Sequence, residues 1–264
     1  MSIPSVSKST AQNRALIVSV ERYSACADFD KRRGVRRDTK RLHAALKRRG
    51  FEVTFLDDLE AHEIIEAFKA ESEQLVHSCF VGVISSHGEN GVIFGSDGRP
   101  VRLGDIYSQF GGPVMAGKNK LFLVQACRGS ELDDGVETDA VCVDSSTDDG
   151  VYECQSIPDQ MVVAYATAPG YSAFMHPTGS VFLQTFCDLV EECEGWEITR
   201  FLTQLNRRIA FEFEARGKVL QGKKEMPCFI SRLTSDFYPF TNTLRVSATE
   251  LLRDTHTARK NSMS

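Results

Sequence analysis

Two short polar patches in this chain carry side chains that can do covalent chemistry together. Ser85-Ser86-His87-Gly88-Glu89 closes one apolar run and Gln125-Ala126-Cys127-Arg128-Gly129 closes another, with the cysteine forty residues after the histidine. A cysteine attacks as its thiolate, and a nearby imidazole both favours that form and later protonates a leaving amine. The tetrahedral species formed on attack needs N–H donors. The backbone amides of Gly88 and Cys127 can supply them, and a glycine beside the histidine permits close approach. Taken singly, Cys127 reads as a buried structural thiol and His87 as a turn residue. Their matched placement points instead to a nucleophile–base pair.

The runs that precede these patches must hold them still. Phe80–Ile84 and Leu121–Val124 are continuous apolar segments of the kind buried on both faces of a parallel sheet. Ala15–Val20, Phe51–Leu56, Met161–Ala166 and Cys228–Leu233 read as further strands. Helical spacing of apolar residues marks Asp38–Arg49, His62–Val76, Ser180–Cys193 and Ile198–Ala215. Val92–Phe94 and Val101–Leu103 flank a turn and suggest a small hairpin. Strands alternating with helices predict a three-layer α/β domain, with helices on both faces of a mostly parallel six-stranded sheet. Residues at the carboxyl ends of such strands are the usual place for a site. Ser130–Pro158 lacks apolar periodicity and reads as a long exposed loop, a feature that is usually functional or disordered. The tail after Phe240 is polar and reads as mobile.

Composition excludes several classes. The 264 residues carry a formal net charge of −5, and there is no apolar run long enough to span a membrane. The Ser-rich start has no apolar core, so a cytoplasmic address is the expectation. None of the eight cysteines forms a CxxC pair, which argues against a zinc ribbon or a thioredoxin-like centre. Charge is unevenly spread. Lys31–Arg49 is strongly basic, whereas Gly129–Thr199 holds fifteen Asp and Glu and no Lys or Arg. The basic stretch lacks the interleaved aromatics of a nucleic-acid patch and reads as a solvated helix face, so no nucleic-acid partner is expected.

QACRG, with a histidine upstream, resembles the caspase signature. The likeness extends from about Arg14 to Phe240. SSHGE resembles the family's histidine block, and Arg32-Arg33-Gly34 with Asp38 and Leu42 resembles its Arg-x-Gly block. ELDDGVETD resembles the activation linker, and AYATAPGY and MPCFISRLT resemble small-subunit blocks. The resemblance implies an aspartate-directed cysteine endopeptidase of the executioner type, acting in apoptosis or proteolytic signalling, without a cofactor or metal. Cys127 would be the nucleophile, His87 its base and Gly88 an oxyanion donor. Arg32 and Gln125 would line the pocket for the substrate aspartate, with Ser86 at its wall. Spacing alone favours Arg32 over Arg33. A bidentate cation with a polar partner in a dry pocket is what a carboxylate ligand needs.

The family pattern also implies an order along the chain: a short prodomain over residues 1–13, a large-subunit region over 14–139, an activation linker over 140–158, a small-subunit region over 159–240, and a flexible tail over 241–264. Processing is expected after Asp139, with Asp134, Asp144, Asp148 and Asp149 as alternatives. An upstream caspase would make that cut. Two chains, alike or not, would pair along Cys228–Leu233 into a twelve-stranded dimer.

One block departs from the pattern. Where relatives carry Tyr-Ser-Trp-Arg, this chain has Ser172-Ala173-Phe174-Met175, followed by His176. Phe174 can still serve as an aromatic wall, but Met175 stands in place of an arginine that grips the substrate aspartate. A thioether donates no hydrogen bond. Two readings stay open: a working caspase weakened or respecified on one side of its cleft, or a caspase-like regulator that pairs with an active paralogue.

Overall fold

The computed structural model describes residues 12–27, 29–133, 148–216 and 220–241, with only the backbone of Asp148. In chain order the elements are β1 (Arg14–Ser19), α1 (Val35–Arg48), β2 (Glu52–Asp57), α2 (Ala61–Ser72), β3 (Cys79–Ser85), β4 (Gly88–Glu89), β5 (Val92–Phe94), β6 (Pro100–Arg102), α3 (Leu103–Gln109), β7 (Asn119–Gln125), α4 (Asp148–Gln155), β8 (Met161–Tyr165), β9 (Met175–His176), β10 (Gly179–Ser180), α5 (Val181–Glu192), α6 (Ile198–Glu212) and β11 (Cys228–Ser231). The main sheet has the order β11-β8-β7-β3-β1-β2, with only β11 antiparallel to its neighbour. The expected α/β architecture, with a mostly parallel six-stranded sheet, is the one observed.

Side chains alternate across each strand and so build two cores. Ala15 and Ile17, Val81 and Val83, Leu121 and Leu123, and Val162 and Ala164 face one layer with helices α1, α5 and α6. Leu16 and Val18, Phe80 and Ile84, Phe122 and Val124, and Val163 and Tyr165 face the other, with α2 and α3. The second core is aromatic. Phe122 meets Phe68, Phe80, Tyr107 and Phe110 at ring-centroid separations of 5.8, 5.9, 5.3 and 5.1 Å. Truncating so deeply packed a ring commonly costs about 3–5 kcal/mol.

The structure differs from the sequence expectations at several places. Helix α1 begins three residues early, at Val35, because Gly34 with φ of 102° turns the chain into it. A Cβ there would lie 2.1 Å from the His176 carbonyl oxygen, so only glycine lets the His176 turn approach the helix start. Helix α2 stops at Ser72, leaving Leu75 73% exposed. The hairpin gains a third strand, β4, and Leu103 starts α3 rather than ending a strand. The segment expected to be one long loop contains α4. The basic stretch is not simply solvated: Arg41, Arg48 and Arg49 of the α1 region pair with Asp188, Glu191 and Glu194 at α5, matching the two lopsided charge blocks to each other. Among the described residues, no helix is long and apolar enough to cross a membrane, and no cluster of metal-ligating side chains occurs.

Candidate active site

Register brings the two chemical patches together. Ser85 of β3 pairs with Gln125 of β7 and with Ser19 of β1, so three parallel strands end in one row. The chain leaves that row at Ser86-His87 on one strand and Ala126-Cys127 on the next. A Cβ on Gly88 would lie 3.0 Å from the Cys127 carbonyl oxygen and 2.7 Å from that of Val92, so the glycine allows the turn to sit against the cysteine. His87 and Cys127 line one open cleft of about 310 Å³, with Asp30, Arg32, Arg33, Ser86, Gln125 and Met175 among its walls.

The imidazole is held on all sides. Nε2 of His87 bonds the Asp30 carbonyl oxygen at 3.0 Å, and a carbonyl only accepts, so Nε2 carries the proton and Nδ1 is the basic nitrogen. Phe29 stacks on the ring at 5.0 Å and Tyr23 lies tilted at 5.1 Å. Burial lowers the His87 pKa from its ordinary value and the Arg32 charge lowers it further, against the Asp30 carbonyl. Neutral imidazole is the form that can take a proton from a thiol. Behind it runs a hydrogen-bond relay. The His87 amide donates to Tyr23 Oη at 2.9 Å, Tyr23 Oη and Ser86 Oγ lie 2.8 Å apart, and Ser86 donates to the Phe94 carbonyl at 2.5 Å. With one proton per hydroxyl, the relay has a single direction, and Tyr23 donates to Ser86.

Arg32 is 6% exposed, whereas Arg33 is exposed. The Arg32 guanidinium donates to the Val20 carbonyl at 2.8 Å, to Ser85 Oγ at 3.0 Å and to the Gln125 carbonyl at 3.4 Å. It pairs with no carboxylate among the described residues, and burial pulls its pKa down. A buried cation without an anion is costly, and the cleft it lines is where an anion would offset that cost. Gln125 is buried beside it, with one side-chain N–H on the Phe174 carbonyl at 3.5 Å.

The facing wall is the segment from Gly170 to His176. The Ala173 amide donates to Cys127 Sγ at 3.4 Å, and the thiol donates to the Ala173 carbonyl at 3.8 Å. Phe174 turns away from the cysteine. Its ring meets Phe213 at 5.3 Å and lines a neighbouring cavity of about 390 Å³, while Met175 lines both spaces. The Phe174 amide donates to Glu225 at 2.6 Å. That carboxyl is 1% exposed, its other oxygen has no hydrogen-bond partner among the described residues, and burial pushes its pKa up to about 8.

Asp134, Asp139 and Asp144 lie outside the described residues. Asp148 opens α4, and Asp149 within it pairs with Arg102 at 2.8 Å. Residue types could not have disclosed the part played by Asp30, which acts through its carbonyl, or by Ala173, which acts through its main chain. Glu225 gave no signal, because a lone glutamate in a polar stretch reads as surface.

The caspase-domain family model matches residues 12–238. Caspase-3 of Mesocricetus auratus is 37% identical over 234 residues, covering 84% of this chain and 82% of that protein. Caspase-3 of Bos taurus is 36% identical over 218 residues, covering 78% and 77%. Among solved structures, caspase-1 from Spodoptera frugiperda superposes with a TM-score of 0.76 at 25% identity, over 89% of this chain and 92% of that one. A family model spanning most of the sequence, and relatives alike over about four-fifths of their own length, agree with a cysteine and a histidine that line one cleft at strand ends: the chain belongs to the caspase family of cysteine-type endopeptidases.

Proposed function

We propose that this chain cleaves protein substrates after aspartate in apoptotic or related proteolytic signalling, through a cleft weakened on one side. The observation that carries the reading is Arg32: a buried guanidinium, unpaired by any described carboxylate, on the wall of the cleft that holds Cys127 and His87. The Cys127 thiolate attacks the main-chain carbonyl of the substrate aspartate, and the amine of the following residue is the leaving group. Nδ1 of His87 accepts the thiol proton and delivers it to the leaving amine, giving an acyl-enzyme that water then hydrolyses. The Gly88 and Cys127 amides stabilise the oxyanion. Arg32 and Gln125 hold the aspartate carboxylate, Ser86 closes the wall, and Met175 contributes contact but no charge.

Maturation follows a cut after Asp139 made by an upstream caspase. The folded state of α4 supports Asp139 over Asp148 and Asp149, because a protease needs its substrate extended. Pairing with a second caspase chain, alike or not, uses the outer edge of β11, where Phe229 and Ile230 are partly exposed. Met175 also favours a second reading, a regulator that pairs with an active paralogue and modulates it. The test compares wild type with Cys127→Ala, by peptidase assay on aspartyl peptides and mass spectrometry of the fragments. Wild type should cut after aspartate and yield a large fragment ending at Asp139, and the variant should do neither. A wild type that is correctly processed by an added caspase yet inert shifts the weight to the regulator. An active Cys127→Ala protein removes the mechanism.

A further inference from the structure

Immediately after the cysteine, Arg128 turns its side chain inward. It is 3% exposed, its guanidinium lies 4.1 Å from the centroid of the Tyr165 ring, and it donates to Asn90 Oδ1 and to Glu153 Oε2, each at 3.1 Å. Glu153 is fully buried, and its other oxygen receives the Tyr107 hydroxyl at 3.4 Å. Among the described residues it is the carboxylate that forms an ion pair with Arg128. It comes from α4, inside the segment that sequence alone reads as exposed linker.

The main chain of Arg128 meanwhile grips the opposite wall of the cleft. Its amide donates to the Tyr171 carbonyl at 2.9 Å, and its carbonyl accepts from the Gly170 amide at 2.8 Å. The next rungs run between Glu131 and Gly170 at 3.1 Å and between Ser172 and Glu131 at 2.8 Å. One residue further on, Ala173 lies on the Cys127 sulfur. Without the Glu153 carboxylate the Arg128 guanidinium is left as a buried, uncompensated charge, and that cost works against the place it holds beside Asn90 and the Tyr165 ring. If it moves, the Cys127–Arg128 peptide and the Gly170–Ala173 rungs move with it.

We propose that Glu153 is a positioning residue of the protease site: its carboxylate sets the Arg128 guanidinium, and Arg128 holds the Gly170–Ala173 segment against Cys127. Helix α4 is then retained machinery rather than disposable linker, and a productive maturation cut falls ahead of it. The proposal rests on Cys127 being the nucleophile.

Two variants of the full chain test it. Glu153→Gln keeps the shape and drops the charge, whereas Glu153→Asp keeps the charge one methylene short of the guanidinium. For each, KM and kcat are measured on an aspartyl peptide, and the alkylation rate of Cys127 by iodoacetamide is followed on its own peptide by mass spectrometry. Both assays run well below the melting temperature of every variant. Glu153→Gln should raise KM about tenfold and speed Cys127 alkylation by a similar factor, the size of effect that residues acting through a neighbour commonly have, with Glu153→Asp between it and wild type. A merely structural role would lower the melting temperature and leave both readouts at wild-type values, and that result overturns the proposal. Should Glu153→Gln fail to fold, the aspartate variant decides by the same criterion. Alkylation needs no turnover, so it decides even for a chain that cleaves nothing. Activity surviving in Cys127→Ala would instead sink the nucleophile assignment, a separate failure.

Discussion

The two walls of the cleft are built by different means. On one side Arg32, Ser86 and Gln125 project from or beside strand ends of the central sheet and are buried, with side chains fixed by several hydrogen bonds. On the other, Ser172 to Met175 are only half-buried and are held mostly through their main chain, by Glu131, Glu225, Gln125 and the Cys127 sulfur. A wall held by side chains ties residue identity to fold. A wall held by backbone bonds leaves the side chains free to change, and Met175 lies on that wall.

The sharpest way to break this contrast is to empty the rigid wall. Under the proposed reading, in which Arg32 is the buried arginine that holds the substrate carboxylate, Arg32→Met should lower kcat/KM on aspartyl peptides by about a thousandfold, the upper part of the ~2–5 kcal/mol range for losing one partner of a buried charge pair. Its melting temperature should change little, since the lost hydrogen bonds are offset by no longer desolvating a cation that lacks a carboxylate. A variant that keeps aspartate preference would mean that Arg32 is structural and that another group reads the substrate.

The opposite substitution sharpens the comparison from the tolerant side. Met175→Arg should raise kcat/KM for aspartyl over glutamyl peptides by roughly thirtyfold to a hundredfold, the lower part of the same range for a charged hydrogen bond to a carboxylate. The fold should be untouched, because the side chain already borders open space in both cavities. Unchanged selectivity in steady-state kinetics would show that the wall cannot aim a guanidinium at the pocket.

A smaller effect concerns what anchors the tolerant wall. The pKa of Glu225 is raised from 4.5 to about 8 by burial. A carboxyl with a raised folded-state pKa leaves stability intact below its unfolded pKa. Stability is then lost as pH rises toward the folded value, because the unfolded chain releases the proton first. Glu225→Gln keeps an oxygen for the Phe174 amide and removes this titration. Thermal melts should therefore show the variant gaining on wild type by about 2–3 kcal/mol between pH 6 and pH 9. A gain independent of pH would mean that Glu225 is already ionised in the fold.

Much of the fold was legible because its strands are runs of β-branched and aromatic residues, and runs such as Phe80–Ile84 allow few other readings. The cysteine and histidine were legible because their types are reactive and both follow such runs. What stayed hidden is instructive. Helix α4 reads Asp-Asp-Gly-Val-Tyr-Glu-Cys-Gln, and its fully buried side chain is a glutamate, so a search for an apolar stripe passes over it. The contacts of His87 with Asp30 and of Cys127 with Ala173 run through main-chain atoms, which carry no residue-type signal. The direction of the Phe174 ring depends on Phe213, thirty-nine residues on, and sequence alone did not make that pairing visible.

The join between β7 and β8 has a consequence for any cut in the chain between residues 133 and 148. These strands are neighbours inside the sheet, paired over five residues from Lys120–Met161 to Val124–Tyr165. On the helical face the same seam is closed by the charges that Arg41, Arg48 and Arg49 exchange with Asp188, Glu191 and Glu194. Pulling the pieces apart would open both cores to water at once. A nick there severs the covalent thread but not the packing: one polypeptide becomes a two-chain body whose halves are still joined by the β7–β8 pairing and by both cores.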